Sequence, residues 1–282
     1  MSVNPSSLPP VAGSAPRVGR LRMSVRLLHG FGVVLLGVVL ASAVFPLSSP
    51  ARRRALVRWW AKRFVTALGV RVQVHGAWPA APGRYLLASN HISWLDIFVI
   101  HSVYPVRFVS KAEVRHWPVA GFLAKQSGTL FLDRTRKRDT KDIGAEMLAV
   151  LEDGEALGIY PEGTTSDGSV LLPFFSPLLQ PAVNGLASVV PTGLRYSYRR
   201  SGERNTALAF IGEQTFLDSV LITARQPGVL VEVRFGTPIP SVGQHRRELT
   251  QQVERAVAEL LQVPVVARTL RPGERPQEGS PG

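Results

Sequence analysis

A histidine and an aspartate five residues apart, His91 and Asp96, are the first pair in the chain that could carry out acid–base chemistry. Histidine moves protons near neutral pH, and a carboxylate that orients it and stabilises the imidazolium would make it a general base. Five residues along a continuous α-helix correspond to a rotation of about 140° away from the same face. The two side chains can therefore meet only if His91 lies in a turn between a strand and a helix and Asp96 lies in the first helical turn.

The same residues also fit a structural role. Ser93 and Asp96 form a capping-box pattern in front of the apolar residues that follow. Capping boxes are common and catalytic pairs are rare, so the spacing alone favours the cap. The two roles are compatible with each other, and the choice depends on the rest of the chain.

A second block, Gly128 to Arg134, is an apolar stretch that ends in an aspartate and an arginine. Arg134 directly follows the expected strand, and an arginine in that position can hold a phosphate group with two hydrogen bonds. The basic residues 136–141 that follow are instead typical of a solvated helix start.

The third block, residues 160–168, combines a carboxylate with glycines and hydroxyl groups. Gly163 permits close approach of the backbone to a ligand, and Glu162, Thr164 and Thr165 can orient a polar substrate. Taken alone, the block is better explained as a surface turn.

A fourth block, Val189 to Gly193, is an apolar strand that breaks at a proline and indicates little by itself. In this order the four blocks, N-H-x-x-x-x-D, G-x-x-F-x-D-R, P-E-G-T and a V-P strand, resemble the glycerolipid acyltransferase family. This family comprises the lysophospholipid acyltransferases related to bacterial 1-acylglycerol-3-phosphate acyltransferase. The resemblance covers about residues 70–194, and a helix cap has no reason to be accompanied by the other three blocks.

The resemblance implies a role for each matching residue. His91 corresponds to the general base and Asp96 to the residue that orients it. The acceptor-binding positions correspond to Gly128, Phe131 and Arg134 in one block, to Glu162, Gly163 and Thr164 in another, and to Lys111 as an acceptor or oxyanion contact. The family needs no acyl-enzyme intermediate, which agrees with the lack of cysteine and of a G-x-S-x-G serine in this chain.

One position departs from the family pattern. Many members read P-E-G-T-R-S, whereas this chain has Thr165 in place of the arginine. The missing cation weakens the case for a strongly anionic acceptor, and this variant is similar to the branch that includes lyso-ornithine lipid acyltransferases, although glycerophosphate-type enzymes carry it too. We expect acyl transfer from acyl-CoA or acyl carrier protein, as co-substrate, to 1-acyl-sn-glycerol-3-phosphate, with lyso-ornithine lipid as the alternative acceptor. No cofactor is expected.

The elements that must position these residues alternate between strand and helix from Val70 onward. We expect strands at Val70–His75, Tyr85–Ser89, Val106–Ser110, Thr129–Leu132, Ala156–Tyr160, Ser188–Leu194, Ala207–Ile211 and Val229–Phe235, and helices at Ser93–Val103, Val119–Gln126, Thr140–Glu152, Phe216–Ala224 and Ser241–Leu261. This alternation predicts a single α/β catalytic domain over residues 70–265, with a mixed β-sheet flanked by helices. Residues 266–282 are expected to be a disordered tail.

An apolar segment precedes this domain. We expect residues 1–25 to be a disordered basic terminus and residues 26–69 to form a membrane-associated segment followed by a basic amphipathic helix. Phe31–Leu47, extended back to Leu27, approaches the length of a membrane-spanning helix. It also fits one arm of a helical hairpin in one leaflet, with Pro46 at the corner, or a secretory signal peptide. The signal peptide is disfavoured because the thioester donors of the family are cytosolic.

The amphipathic helix is expected over Ala51–Leu68. Its apolar stripe consists of Leu56, Trp60, Phe64 and Ala67, with Trp59 at the edge and basic residues over much of the remaining surface. Such a helix is typical of the lipid headgroup boundary, and an ordinary helix packed on the domain fits the same pattern. The basic residues flanking the apolar segment slightly favour a cytoplasmic catalytic domain at a bacterial inner membrane.

The amino-acid composition limits which partners and which kinds of site this protein can have. The net charge of +13 suggests a polyanionic partner: an anionic bilayer, an acidic acyl carrier or nucleic acid. Many arginines cluster beside the apolar segment, which disfavours nucleic acid. The lack of cysteine excludes disulfides and thiolate metal sites. The histidines other than His91 are interpreted as surface or capping residues, and their spacing is not typical of a metal site. No metal is therefore expected. A basic membrane-bound scaffold with a decayed site is the non-enzyme alternative.

Overall fold

The computed structural model describes residues 17–80, 82–132 and 137–267, without the side chains of residues 137–142. It begins with a helical hairpin. Helix α1 (Arg20–Val39) continues through a π-helical turn (Leu40–Val44) and a 3₁₀ turn (Phe45–Leu47), and α2 (Pro50–Ala67) runs back along it. The helical stretch Arg20–Leu47 has 28 residues and is long and apolar enough to cross a membrane.

The start of α1 differs from the expected domain boundary. Residues 20–25 were expected in a disordered terminus, but they are helical. The segment is attached to the α/β domain, since the Val18 N–H donates to the carbonyl of Arg225 at 2.9 Å. The expected disorder of residues 1–16 and 268–282 falls outside the described residues.

The two arms of the hairpin are joined by Trp60 of α2. Its Nε1 donates to the carbonyl of Val33 in α1 at 2.6 Å. A Cβ atom on Gly37 would lie 2.6 Å from the same nitrogen, so the indole rests directly on this glycine. Pro46 lies in the 3₁₀ turn next to the corner. This shape agrees with the hairpin among the interpretations left open by the sequence.

The apolar stripe of α2 belongs to the protein core. Trp60 and Phe64 are buried, and their rings stack at 5.7 Å. Phe64 also lies 4.6 Å from the ring of Phe98 in α3 (Leu95–Val103). The structure therefore favours the packed helix over a stripe that faces lipid, because burial against α3 removes these large rings from solvent. Trp59 remains 40% exposed, with the guanidinium of Arg63 3.9 Å above its ring.

Seven strands of the described residues form one mixed sheet. They are β1 (Val70–His75), β2 (Tyr85–Ser89), β3 (Arg107–Lys111), β4 (Leu130–Leu132), β5 (Leu157–Ile159), β6 (Ser188–Tyr198) and β7 (Val229–Phe235). Their order is β1-β7-β6-β2-β5-β3-β4, with β6 and β7 antiparallel and the other pairs parallel. The predicted fold class is confirmed.

Helices cover both faces of this sheet. Besides α3 they are α4 (Ala120–Gln126), α5 (Lys137–Glu152), α6 (Gln180–Asn184), α7 (Phe216–Arg225) and α8 (Arg246–Leu261). Successive residues of β2 point to opposite sides, as the strand period requires. Leu87 belongs to the buried cluster under α2 and α3, while Leu86 and Ala88 belong to the cluster under α5 and α8.

One predicted strand, Ala207–Ile211, is wrong. Thr206–Leu208 forms a 3₁₀ turn capped by the side chain of Asn205, and no ladder follows. The backbone of Phe210 instead bonds to loops, donating from its N–H to the carbonyl of Ile92 at 2.9 Å. The apolar run is therefore fixed against the turn that follows β2 rather than paired in the sheet.

Candidate active site

The turn after β2 is held in place by Asn90. Its side-chain Nδ2 donates to the carbonyl of Leu194 at 3.0 Å, and the Leu194 N–H donates back to Asn90 Oδ1 at 2.7 Å. Leu194 lies in β6, the neighbouring strand. This two-way pairing fixes residue 90 and brings His91 to the edge of the sheet, between β2 and α3.

His91 and Asp96 meet as the spacing argument required. Asp96 Oδ2 lies 2.8 Å from His91 Nδ1, and the same oxygen accepts the N–H groups of Ile92 at 2.7 Å and Ser93 at 3.0 Å. The carboxylate is fully buried, whereas the imidazole is 20% exposed. With Nδ1 donating to Asp96, Nε2 is the nitrogen that can accept a proton from a substrate.

The predicted capping box is only half formed. Asp96 reaches back to the Ser93 N–H, but the Asp96 N–H donates to the backbone carbonyl of Ser93 at 3.1 Å rather than to its hydroxyl. Helix α3 begins at Leu95, with Trp94 at the N-cap. One carboxylate thus orders the turn and orients the histidine.

Two tyrosines that the sequence analysis missed complete this arrangement. The ring of Tyr160 stacks on the imidazole of His91 at 4.0 Å, and the hydroxyl of Tyr196 donates to Asp96 Oδ1 at 2.6 Å. Burial and the charge of Asp96 raise the pKa of both tyrosines well above its usual value, so both hydroxyls stay protonated. Tyr160 directly precedes the P-E-G-T block, which was a usable signal. Tyr196 is a hundred residues from its partner and had none.

Glu162 connects two loops around the histidine. Its Oε1 accepts the His91 N–H at 2.6 Å, and its Oε2 accepts the Leu172 N–H at 3.0 Å. Burial, with a smaller contribution from the charge of Asp96, raises the pKa of this carboxyl to about 7, although the two backbone hydrogen bonds oppose the shift. The resemblance implied acceptor binding for Glu162. In the structure this carboxyl group binds the backbone N–H of His91 and so positions the turn that carries the imidazole.

The rest of the P-E-G-T block lies at the cavity beside His91. Gly163, Thr164 and Thr165 all contribute to the cavity wall, and Gly163 has a φ of 73°. The hydroxyl of Thr165 donates to the carbonyl of Phe210. The residue that replaces the expected arginine is therefore engaged with the protein backbone.

The remaining acceptor-binding candidates are placed differently. Lys111, at the end of β3, is exposed and lines the cavity. Gly128 and Phe131 do not line it. Gly128 has a φ of 81° and accepts the Nε–H of Arg107 at 2.9 Å, and Phe131 lies 5.5 Å from the guanidinium of Arg115. Arg134 lies outside the described residues.

The cavity has a volume of about 810 Å³ and extends from His91 to the helical hairpin. Its wall is mainly apolar and includes Gly37 and Phe45 of the first arm and Trp60 of the second. His101 of α3 also lines it, and burial lowers the pKa of this histidine to about 4. His101 is therefore a neutral wall residue and not the surface histidine that we expected.

No group of three histidine, aspartate or glutamate side chains that could hold a metal ion occurs within the described residues. The site presents a partly buried, oriented histidine at the end of a long apolar cavity. Such a site can deprotonate a hydroxyl group next to an aliphatic chain.

Comparisons with known proteins agree with this chemistry. The acyltransferase family model matches residues 71–195. A lyso-ornithine lipid O-acyltransferase of Pseudomonas aeruginosa is 38% identical over 247 residues, which cover 85% of this chain and 93% of that protein. A 1-acyl-sn-glycerol-3-phosphate acyltransferase of Neisseria gonorrhoeae is also 38% identical, over 55% of this chain and 60% of that protein.

The fold has a counterpart among solved structures. The crystal structure of the 1-acyl-sn-glycerophosphate acyltransferase of Thermotoga maritima superposes with a TM-score of 0.64 at 20% sequence identity, covering 86% of this chain and 96% of that one. Similarity along nearly the whole Pseudomonas protein, together with the matched family model, shows that the chain belongs to the acyltransferase family that acts on lysolipids.

Proposed function

We propose that this protein transfers an acyl chain from a thioester to the free hydroxyl of lyso-ornithine lipid. The observation that carries this choice is the extent of similarity, because the lyso-ornithine lipid acyltransferase of Pseudomonas aeruginosa matches over 93% of its length. The proposal reverses the order of the two acceptors expected from the sequence blocks.

The position of Thr165 supports the same choice. A phosphate monoester acceptor would benefit from a cation at this position, whereas the Thr165 hydroxyl is bound to a backbone carbonyl. An ornithine headgroup carries its own ammonium and carboxylate groups and does not depend on a strong cation there.

In the proposed reaction His91 Nε2 accepts the proton of the lysolipid hydroxyl as its oxygen attacks the thioester carbonyl. The tetrahedral intermediate collapses with cleavage of the carbon–sulfur bond, and the thiolate takes the proton back from the imidazolium. Asp96 stabilises the imidazolium between these steps. The products are an ester and a free thiol, and no covalent enzyme intermediate forms.

The cavity offers a place for the acyl chain. Its apolar wall leads from His91 to Gly37 and Phe45 of the hairpin, and its volume is in the range of ordinary ligand pockets. We place the thioester carbonyl beside His91 and the aliphatic chain along this wall.

The proposed donor is acyl-CoA or acyl carrier protein, both of which carry an acyl thioester. We place the protein at a bacterial inner membrane, with the catalytic domain on the cytoplasmic side where such thioesters are available. The outer face of α1 supports membrane association, since Leu28, Phe31 and Val39 are 74%, 60% and 57% exposed.

Parallel assays with two acceptors test the proposal. Purified protein would receive one acyl-CoA with either lyso-ornithine lipid or 1-acyl-sn-glycerol-3-phosphate, and the measurement would be repeated with acyl carrier protein. We expect kcat/KM to be at least about tenfold higher with lyso-ornithine lipid, and His91→Ala to abolish transfer to both. His75→Ala, which changes a histidine at the far end of β1, is the matched control and should keep full activity.

The second candidate is acylation of 1-acyl-sn-glycerol-3-phosphate, which the similarity to the Neisseria gonorrhoeae enzyme favours. A higher kcat/KM with this acceptor would replace the first proposal by the second. Absence of transfer to both lysolipids would instead support the non-enzyme alternative, a basic membrane-bound scaffold with a decayed site.

A further inference from the structure

A second cleft, of about 550 Å³, lies on the other side of α2 from the catalytic cavity. Trp60 and Phe64 face the cavity, whereas Arg58 and Lys62 face the cleft. Among the residues that the structure describes, none lines both the cavity and the cleft. A molecule in the cleft would therefore bind apart from the reacting groups at His91.

The cleft is lined by six cationic side chains. They are Arg22 and Arg26 of α1, Arg58 and Lys62 of α2, Arg71 of β1 and Arg199 after β6. No aspartate or glutamate lines it, and within the described part of the chain none of the six forms an ion pair with a carboxylate. Arg22 and Arg199 repel the charge of Arg26. An anion in this cleft would relieve that repulsion.

Arg26 gives the cleft a fixed cation. It is only 7% exposed, and its Nη1 donates to the carbonyls of Ala224 at 3.0 Å and Gln226 at 2.6 Å. Gly69, with a φ of 82°, makes room for it, because a Cβ atom there would lie 2.2 Å from Nη2. The guanidinium is thus oriented before any ligand arrives, which lowers the entropy cost of binding.

We propose that this cleft binds the phosphate group of an anionic phospholipid. Several arginines around one concave site suit phosphate oxygens, which accept paired hydrogen bonds from guanidinium groups. The adjoining surface suits lipid tails, since Leu21, Val25 and Leu28 on the same turns of α1 are 81%, 58% and 74% exposed. The cleft would hold the root of the hairpin at the headgroup level of the bilayer.

A soluble phosphate compound fits the cleft less well. Helix α2 stands between the cleft and His91, so CoA with its phosphates in the cleft would hold its thioester away from the general base. A lipid has no such requirement, because its phosphate and tails need only the cleft and the neighbouring surface of α1.

A pair of double variants on one helix tests the site. Arg58→Gln with Lys62→Gln removes two cations from the cleft, and Arg52→Gln with Arg54→Gln removes two exposed cations of α2 outside it. Binding of dihexanoyl phosphatidylglycerol to the full chain in a non-ionic detergent would be measured by calorimetry, with dihexanoyl phosphatidylcholine as the neutral reference. We expect saturable binding to the wild type and the control pair, and binding weakened by roughly thirtyfold in the cleft pair.

Several results would overturn the proposal. Equal weakening in both pairs would indicate diffuse attraction to net charge, and equal affinity for the two lipids would remove the role of anionic charge. Inorganic phosphate or CoA binding as tightly as phosphatidylglycerol would assign the cleft to a soluble phosphate compound. If an acidic carrier protein bound the cleft pair more weakly than the control pair while the lipid bound both equally, the cleft would be assigned to a protein partner. Matching melting temperatures would show that both variants are folded, and acyl transfer, assayed separately, tests the proposed function.

Discussion

At the scale of single residues, the site depends on one buried carboxylate with several donors. Asp96 accepts from His91, from two backbone N–H groups and from Tyr196. A fully buried carboxylate is tolerated only when such hydrogen bonds compensate its charge. The same contacts hold the turn that carries His91, so orientation of the histidine and stability of the turn are linked.

Replacement of Asp96 should therefore affect both activity and stability. In Asp96→Asn the amide group adds donors where Tyr196 and the backbone already donate, and it removes the charge that stabilises the imidazolium. We expect kcat to fall roughly 10²–10⁴-fold and the free energy of unfolding to fall by roughly 1–3 kcal/mol. Steady-state kinetics and urea unfolding measure the two effects. Loss of stability with nearly intact kcat would show that Asp96 acts as a structural residue only.

Tyr196 offers a milder test of the same network. Tyr196→Phe removes only the hydroxyl that donates to Asp96 Oδ1 at 2.6 Å. We expect the free energy of unfolding to fall by about 1.5–3 kcal/mol, the usual contribution of a hydrogen bond to a charged group, and kcat to fall with little change in KM.

The matched control is Tyr198→Phe, two residues along the same strand, where the side chain is partly exposed. It should leave both kcat and the unfolding midpoint close to wild type. Equal effects of the two substitutions on kcat would show that the hydroxyl of Tyr196 makes no specific contribution to catalysis.

Glu162 should make stability depend on pH. Burial raises the pKa of this carboxyl to about 7 in the folded protein from its ordinary value of 4.5. Between these values the folded state holds a proton that the unfolded state has released, so this contribution to stability is present below pH 4.5 and is lost as the pH rises to about 7. Urea midpoints measured from pH 5 to pH 8 should fall less steeply in Glu162→Gln than in the wild type. Glu152→Gln, an exposed carboxylate of α5, should retain the wild-type slope.

At the scale of elements, the hairpin is held by close contact between its arms. A Cβ atom on Gly37 would lie 2.6 Å from the Trp60 indole, whereas a Cβ on Gly32 would have no atom of the described residues within 4 Å. Gly37→Leu should therefore force α1 away from α2, break the Trp60–Val33 hydrogen bond and cost about 1–3 kcal/mol of stability.

The control for this prediction is Gly32→Leu, five residues earlier on the exposed side of the same helix. Thermal unfolding in detergent would compare the two proteins. Acyl transfer should fall in Gly37→Leu as well, because Gly37 and Trp60 line the catalytic cavity. Similar melting temperatures for both variants would mean that the arms of the hairpin are not locked by Trp60.

The structure differs from the predicted strands at two places, the segment Ala207–Ile211 and the end of β6. The stretch Ala207–Ile211 has the apolar composition of a strand, but it pairs with none of the described strands, and the N–H of Phe210 instead donates to the carbonyl of Ile92 in the turn beside His91. Strand β6 runs to Tyr198, beyond the expected end at Leu194, because antiparallel pairing with β7 continues to that residue. Strand propensity is a property of one segment, whereas strand pairing also requires a neighbouring strand.

At the scale of the whole molecule, α2 separates two regions with different chemistry. On one side an apolar cavity leads from the hairpin to His91, and on the other a cationic cleft opens beside the exposed apolar face of α1. A lysolipid acyltransferase needs both a route for an aliphatic chain and a stable position at a charged bilayer surface. This arrangement places several of the hairpin arginines, which contribute to the net charge of +13, around the cleft.

The sequence by itself determined the elements and residues whose signals are local. The alternation of strand and helix, the pair His91 and Asp96, and the blocks around Arg134 and Glu162 are all recorded in spacing and residue type. Only the tertiary structure decided what each face contacts: the stripe of α2 packs against α3, Glu162 binds the backbone of His91, and Tyr196 reaches Asp96 from a hundred residues away. Periodicity specifies which side chains share a face, but the partner of that face is set by how distant segments pack together.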